Sequence, residues 1–300
     1  MTGRTAQGYG MVVVSYLLIG LSGTLVTWAT APASALLVLR FAIASLVLAA
    51  VFARKRRLAG LLARDLWPRL LLMGALDATA LLLYFVAIRE MGVATATFFL
   101  FTQPVWVALL APRLLRTATE RVVFVAVALA AAGLVVILVP ALFGPGIQLS
   151  ALGLLAGFGC GLSYAGFALL VKGLTRRVES VTLVLVESAL DGLFLLPLAL
   201  WQTLGTGYSL TGRDLLVALV LGLVCTALAY TLWMEGMRRV RVQHSAVLGF
   251  ITPVAAPIYA LILLGQSITA WTLAGGTLIL AAGILVVLRG QQDLESEPPV

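Results

Sequence analysis

Charge is what this 300-residue chain has least of: 11% of its residues are Asp, Glu, Lys or Arg, against 62% hydrophobic. Histidine occurs once, at His244, and cysteine twice, at Cys160 and Cys225. Two cysteines inside apolar runs exclude a disulfide framework and metal-ligand spacing, and read as small buried packing residues. No phosphate loop, metal-ligand set or nucleophile with a base is present, so neither a cofactor nor an enzyme activity is expected. Polar stretches long enough for a water-facing domain are missing too, and the mean hydropathy is +1.10. What remains is a succession of apolar runs. A hydrocarbon core of about 30 Å needs about 20 apolar residues per helix, so the chain holds about ten spans and no soluble domain. The formal net charge of +8 would suggest nucleic acid in a soluble chain. Here the basic residues fall in short loops between spans, and the expected partner is the bilayer rather than nucleic acid.

Ten helices are predicted, at roughly residues 9–29, 33–53, 67–88, 93–112, 121–140, 150–171, 180–202, 214–236, 243–265 and 269–288. The expected fold is all-α and integral to the membrane. Arg4, the apolar run after it and Ala29-Thr30-Ala31 imitate a signal peptide with a small-residue cleavage site. An internal duplication needs that first helix and argues against cleavage. Lys and Arg set the orientation. One side collects Arg4, Arg54-Lys55-Arg56-Arg57, Arg64, Arg69, Arg113, Arg116, Arg121, Lys172, Arg176, Arg177, Arg238, Arg239, Arg241 and Arg289, which is 17 of the 20. The other side has Arg89 and Arg213, and Arg40 lies within the second helix. Both termini are therefore expected on the cytoplasmic side of the inner membrane.

The duplication relates Asp65–Ala111 to Asp214–Ala260 by a shift of 149 residues, with 13 of 47 positions identical. Asp65 meets Asp214, Arg89 meets Arg238, Phe101 meets Phe250, and Pro104-Val105 meets Pro253-Val254. The implied units are residues 1–148, residues 149–290 and a cytoplasmic tail, 291–300. Five helices per unit is an odd number, so the second unit enters the membrane inverted. Inverted repeats place a binding site near the midplane and expose it to alternate sides by rocking, which is the organisation of a transporter.

Polar residues meet at that depth. Asp77 and Thr226 lie midway along the third and eighth helices, and Gln103 and Thr252 midway along the fourth and ninth. Gly20-Leu21-Ser22 in the first helix resembles Gly161-Leu162-Ser163 in the sixth, with Tyr164 following. An acid at the bilayer centre costs several kcal/mol. Asp77 is thus either a functional group or a neutral acid bonded to a neighbouring helix. Pro104, Pro253 and Pro257 each remove a backbone donor and free a carbonyl, and read either as hinges, the favoured reading because Pro104 and Pro253 match across the repeat, or as packing kinks. Tyr84, Phe98, Phe99, Phe101, Trp106, Tyr230, Trp233, Phe250 and Tyr259 surround the same level, although helical period alone does not separate a cavity stripe from a lipid face. Trp28, Trp67 and Trp201 read as interface anchors. The candidate substrate-binding residues are Ser22, Asp77, Tyr84, Phe98, Thr102, Gln103, Ser163, Tyr164, Thr226, Tyr230, Thr252 and Tyr259. Such a lining suits a small amphipathic organic solute better than a sugar or a bare ion.

Glu187 and Asp191 stand four apart on one face of the seventh helix. A structural ion pair of Arg40 with one of them is one reading, and proton coupling is the other. Gly20-Leu21-Ser22-Gly23 matches a pattern of intramembrane serine proteases, but His244 opens the ninth helix at the cytoplasmic edge, far in depth from Ser22. Gly153, Gly157 and Gly161 read as a close-packing stripe. The fifth and tenth helices, nearly free of polar residues, are expected to support the core or to form a dimer contact.

These pieces resemble the drug/metabolite transporter superfamily, in its ten-helix EamA-type branch. The resemblance rests on Tyr84-Phe85-Val86-Ala87-Ile88-Arg89 followed by Gln103-Pro104-Val105, on Trp233 to Arg239 followed by Thr252-Pro253-Val254, and on the five-plus-five topology. It implies a cytoplasmic-membrane exporter working by alternating access, with a cavity between helices 1, 3, 4, 6, 8 and 9. Among branches, the chain resembles the aromatic amino-acid exporters of the YddG type. Where those carry an Asn-Tyr-Leu-Trp-Pro-like run, this chain has Phe99-Leu100-Phe101-Thr102-Gln103-Pro104, which keeps the aromatic character and not the polar signature. The expected activity is export of aromatic or hydrophobic amino acids or related metabolites. A cationic-drug or nucleotide-sugar carrier and a membrane-embedded enzyme are the alternatives.

Overall fold

A computed structural model describes residues 3–54, 64–116, 119–142 and 150–290. Lys55, Arg56, Arg57, the expected unit boundary at 148–149 and the tail from 291 lie outside the described residues. Within them, ten helices are long and apolar enough to cross a membrane: α1 (Gly3–Trp28), α2 (Ala33–Val51), α3 (Trp67–Val93), α4 (Thr95–Leu114), α5 (Arg121–Pro140), α6 (Ala151–Leu174), α7 (Ser180–Gly205), α8 (Gly212–Met237), α9 (Val242–Leu264) and α10 (Ala270–Arg289). In hydrocarbon every backbone polar group must be satisfied within its own segment, so apolar runs of this length become helices. Local chemistry sets their starts. Ser150 and Thr269, both extended, cap α6 and α10 by accepting from the amides of Gly153 and Thr272. Thr211 and Asp214 form a reciprocal capping box on α8. Gly92, at φ 81° and ψ 163°, makes the corner between α3 and α4, a conformation that a side chain would strain.

Three spans are interrupted near mid-length. In α4 the helix stops at Leu100 and resumes at Gln103, with Pro104 in the first turn of the second piece. In α9 it stops at Leu248 and resumes at Ile251, ahead of Pro253. Proline lacks the amide that an unbroken helix would use there, and it fits the first turn of a new one. In α8, Leu223–Leu228 widens into a π-helical turn, and the Thr226 hydroxyl donates to the Leu221 carbonyl, five residues back, at 2.8 Å.

The packing follows a pairing rule. Helix α3 packs on α6 as α8 packs on α1, α4 on α6 as α9 on α1, and α3 on α7 as α8 on α2. The pairs α2–α7 and α5–α10 map onto themselves when each helix is exchanged for the one five places away. Gly20 on α1 and Gly161 on α6 receive the two broken helices. A Cβ at Gly20 would stand 2.9 Å from the Ala255 Cβ and 3.2 Å from the Thr252 carbonyl. At Gly161 it would meet the Thr102 hydroxyl and stand 2.8 Å from the Phe99 carbonyl. The glycine stripe of α6 is thus the seat of the α3–α4 corner, with Gly153 against Met91 and Gly157 against Phe99.

Candidate functional site

The breaks in α4 and α9 frame a cavity of about 210 Å³ near the middle of the bundle. Helix α1 contributes Tyr16 and Ile19, α2 contributes Arg40, and α3 contributes Asp77, Ala80, Leu81 and Tyr84. The break in α4 brings Leu100, Phe101 and Gln103, and the break in α9 brings Gly249 and Thr252. Tyr164 on α6 and Tyr230 on α8 complete the wall. Of the twelve candidate binding residues, six line this space: Asp77, Tyr84, Gln103, Tyr164, Tyr230 and Thr252.

The other six lie outside its lining. The Ser22 hydroxyl donates to the Ile19 carbonyl of its own helix at 2.5 Å, and the Thr102 hydroxyl closes the break in α4 by donating to the Phe99 carbonyl at 2.7 Å. Thr226 is buried in the π turn. Phe98 packs edge-on against Phe99. Ser163 and Tyr259 are half-buried on α6 and α9 without touching the cavity. Tyr16 and Gly249 do line it and were not among the candidates. Tyr16 sits one turn before Gly20 in the α1 face that receives α9, and Gly249 is the residue at which α9 opens. The 149-residue offset held that second clue, since Gly249 pairs with Leu100, which also lines the cavity.

Side chains across the two helix pairs are matched. The Tyr84 hydroxyl on α3 lies 2.9 Å from the Thr97 hydroxyl on α4. On the other side the Trp233 indole of α8 donates to Ser245 of α9 at 3.1 Å and to the Tyr16 hydroxyl at 2.9 Å. Trp233, Phe167 and Tyr164 stack in sequence behind the wall, with ring centroids 5.8 and 5.7 Å apart.

Charge is concentrated on one flank. Asp77, Glu187 and Asp191 are all buried, and a carboxylate oxygen from each lies within 4.8 Å of the others. Among the described residues no donor reaches the Glu187 oxygens, while the Asp191 carboxyl faces that of Asp77 at a contact one shared proton would turn into a hydrogen bond. Of the three acids, only Asp77 also lines the cavity. Among the described residues no direct ion pair joins Arg40 to an acid, although its charge acts on Asp77, Glu187 and Asp191 through space. Its guanidinium carbon lies instead 4.9 Å from the Phe41 ring centroid and 6.0 Å from that of Tyr230.

Both ends of the bundle are tied. At the end that carries the N-terminus, Tyr9 lies 2.5 Å from Nδ1 of His244, whose Nε2 lies 3.2 Å from Glu120, and Arg241 pairs with the same carboxylate at 3.1 Å. Lys172 donates to the carbonyls of Met237 and Val240 at 2.8 and 2.6 Å, capping the end of α8. At the other end Asp214 accepts from the amides of Thr30 and Ala31 at 2.8 and 3.0 Å and from the Tyr208 hydroxyl at 2.5 Å. With both ring nitrogens of His244 engaged and the Ser22 hydroxyl turned to its own helix, the protease pattern finds no base. Cys160 and Cys225 are free and buried.

Comparison with known proteins agrees with this architecture. The model of the EamA-like transporter family matches twice, over residues 6–139 and 151–289. An uncharacterized transporter of Archaeoglobus fulgidus is 31% identical over 208 residues, covering 69% of this chain and 71% of its own. The uncharacterized transporter YwfM of Bacillus subtilis is 26% identical over 224 residues, 74% of this chain and 73% of its own. A solved crystal structure superposes with a TM-score of 0.75 over 95% of this chain and 97% of its own at 19% identity, a likeness of fold alone. Ten membrane-crossing helices, a cavity framed by two broken ones and a double family match over nearly the whole length make this chain a member of the EamA-like transporter family, a membrane transporter and not an enzyme.

Proposed function

We propose that the chain exports amino acids, aromatic or hydrophobic ones foremost, across the cytoplasmic membrane, with both termini inside and the cavity exposed alternately to each side. The observation that carries this reading is the cavity's position between two matched helix breaks, Leu100 to Gln103 and Leu248 to Ile251. Discontinuous helices at the midplane supply freed backbone groups to a solute and a pivot for rocking. Pro104 and Pro253 serve as the hinges, and Pro257 adds a second point of give in α9. The exchange symmetry of the packing and the double family match support two five-helix units, 1–148 and 149–290, related by inversion. Tyr16, Tyr84, Phe101, Tyr164 and Tyr230 provide an aromatic wall, and Asp77 and Gln103 the polar points for an ammonium group.

The buried acids favour a second reading in one respect. Three carboxylates this close repel one another strongly in a low-dielectric interior. Protons or a cationic group among them relieve that repulsion, which makes Asp77, Glu187 and Asp191 the candidate for proton coupling and leaves organic cations as competing substrates.

Liposomes containing the purified protein test both. Saturable counterflow of labelled phenylalanine or leucine supports the amino-acid reading, and a requirement for a proton gradient supports coupling through the acids. Movement of an organic cation with no movement of any amino acid overturns it in favour of the second.

A further inference from the structure

Arg40 is the one base among the described residues of the cavity wall, and its charge acts on Asp77, Glu187 and Asp191 through space without a direct contact. It is half-buried, its Nε is buried without a hydrogen-bond partner, and it forms no ion pair among the described residues. Its two ring contacts engage the guanidinium carbon and use none of its N–H donors. A guanidinium offers five such donors in a planar fork, matched to a carboxylate in bidentate geometry. In the membrane an arginine is costly, and one whose N–H donors face a cavity is by default a functional-site candidate.

The backbone at this point is also held. Gly222 on α8 lies directly against it, so that a Cβ there would stand 2.8 Å from the Arg40 carbonyl and from the Ile43 Cβ. The π turn begins at the next residue and leads to Tyr230, which lines the cavity beside Arg40. Helix α2 is thereby fixed with Arg40 at the cavity.

We propose that Arg40 binds the carboxylate of the transported molecule, so that with Asp77 in the same cavity it selects α-amino acids over amines that lack a carboxylate; this rests on the amino-acid reading given above. The nearby acids act on Arg40 through space and not by direct pairing, and a zwitterion supplies with its carboxylate the direct contact that Arg40 lacks. Its ammonium goes to Asp77 and Gln103, its carboxylate to the Arg40 fork, and its side chain to Ile19, Leu81 and Phe101. An organic cation would satisfy Asp77 and leave Arg40 unpaired and repelled.

The test uses matched probes in liposomes: phenylalanine, phenylalaninamide, whose carboxylate is blocked, and phenethylamine, which has none. Wild-type protein is expected to prefer phenylalanine over both by roughly tenfold or more, because a site built to bond a charged group rejects the analogue without it. Arg40→Gln is expected to abolish the preference, lowering phenylalanine transport roughly tenfold while the amide, no longer repelled by the guanidinium, is moved as fast or faster. Arg40→Lys is expected to keep part of the preference, since it restores a point charge without the fork. Equal transport of phenylalanine and its amide by the wild type overturns the assignment without recourse to any variant. An equal loss of both in Arg40→Gln overturns it too, as the mark of a packing role. If the wild type moves no amino acid at all, the amino-acid reading fails and the anchor fails with it, an outcome distinct from the other two.

Discussion

At the scale of single residues, position in the membrane was legible and direction was not. Asp77, Gln103 and Thr252 stood out because polar groups are rare at mid-span and because the 149-residue offset pairs Gln103 with Thr252; all three line the cavity. Ser22 and Thr226 stood at the same depth, yet both hydroxyls bond to carbonyls of their own helices. A hydroxyl can satisfy itself on the preceding turn, whereas a carboxylate or an amide at that depth must find another partner. The predicted contrast follows. Asp77→Asn and Gln103→Ala should each lower transport by roughly tenfold, about 1.4 kcal/mol of lost interaction, with thermal stability in detergent little changed. Ser22→Ala should have a much smaller effect in the same liposome assay. If Ser22→Ala matched Asp77→Asn, the cavity would not be the transport site.

At the scale of elements, the prolines announced the breaks in α4 and α9, but the π turn in α8 carried no sequence signal that we recognised. Leu223–Leu228 contains neither proline nor glycine. It begins at the residue after Gly222, which is seated closely on α2, a tertiary contact. If the breaks are pivots, Pro253→Ala should slow turnover several-fold while substrate binding persists, as separated by binding and counterflow measurements; loss of both together would assign the proline to packing instead. The glycine seats give a sharper expectation for stability. Gly161→Val forces a branched side chain into the Thr102 and Phe99 contacts, and overpacking of this kind costs about 1–3 kcal/mol. A melting curve in detergent should show the drop.

At the scale of the whole molecule, alternating exposure requires that the two ends open in turn. The end bearing Tyr9, Glu120, Arg241 and His244 is cross-tied between α1, the α4–α5 connection and α9. Glu120→Gln removes the carboxylate on which Arg241 and His244 converge, and should shift the population toward opening at that end. With Cys160 and Cys225 replaced by alanine, a Ser245→Cys reporter beside Trp233 should then react faster with an impermeant thiol reagent applied from the side of the termini. Unchanged labelling would show that these contacts do not hold that end closed.

The helices and their number were determined by the sequence alone, because each span needs about twenty apolar residues and the lipid leaves the backbone no other way to satisfy its hydrogen bonds. The family followed from the sequence too, from residues 84–89 and 233–239 at the ends of α3 and α8 and from Gln103-Pro104-Val105 and Thr252-Pro253-Val254 at the helix breaks. What only the tertiary structure decided is which face of each helix turns inward. A helix that is apolar all round has no amphipathic stripe to mark its buried side. The separation of Arg40 from Glu187 and Asp191, the gathering of three acids on α3 and α7, and the entry of Tyr16 into the cavity therefore depend on how glycine seats and broken helices set the rotation and approach of neighbouring spans.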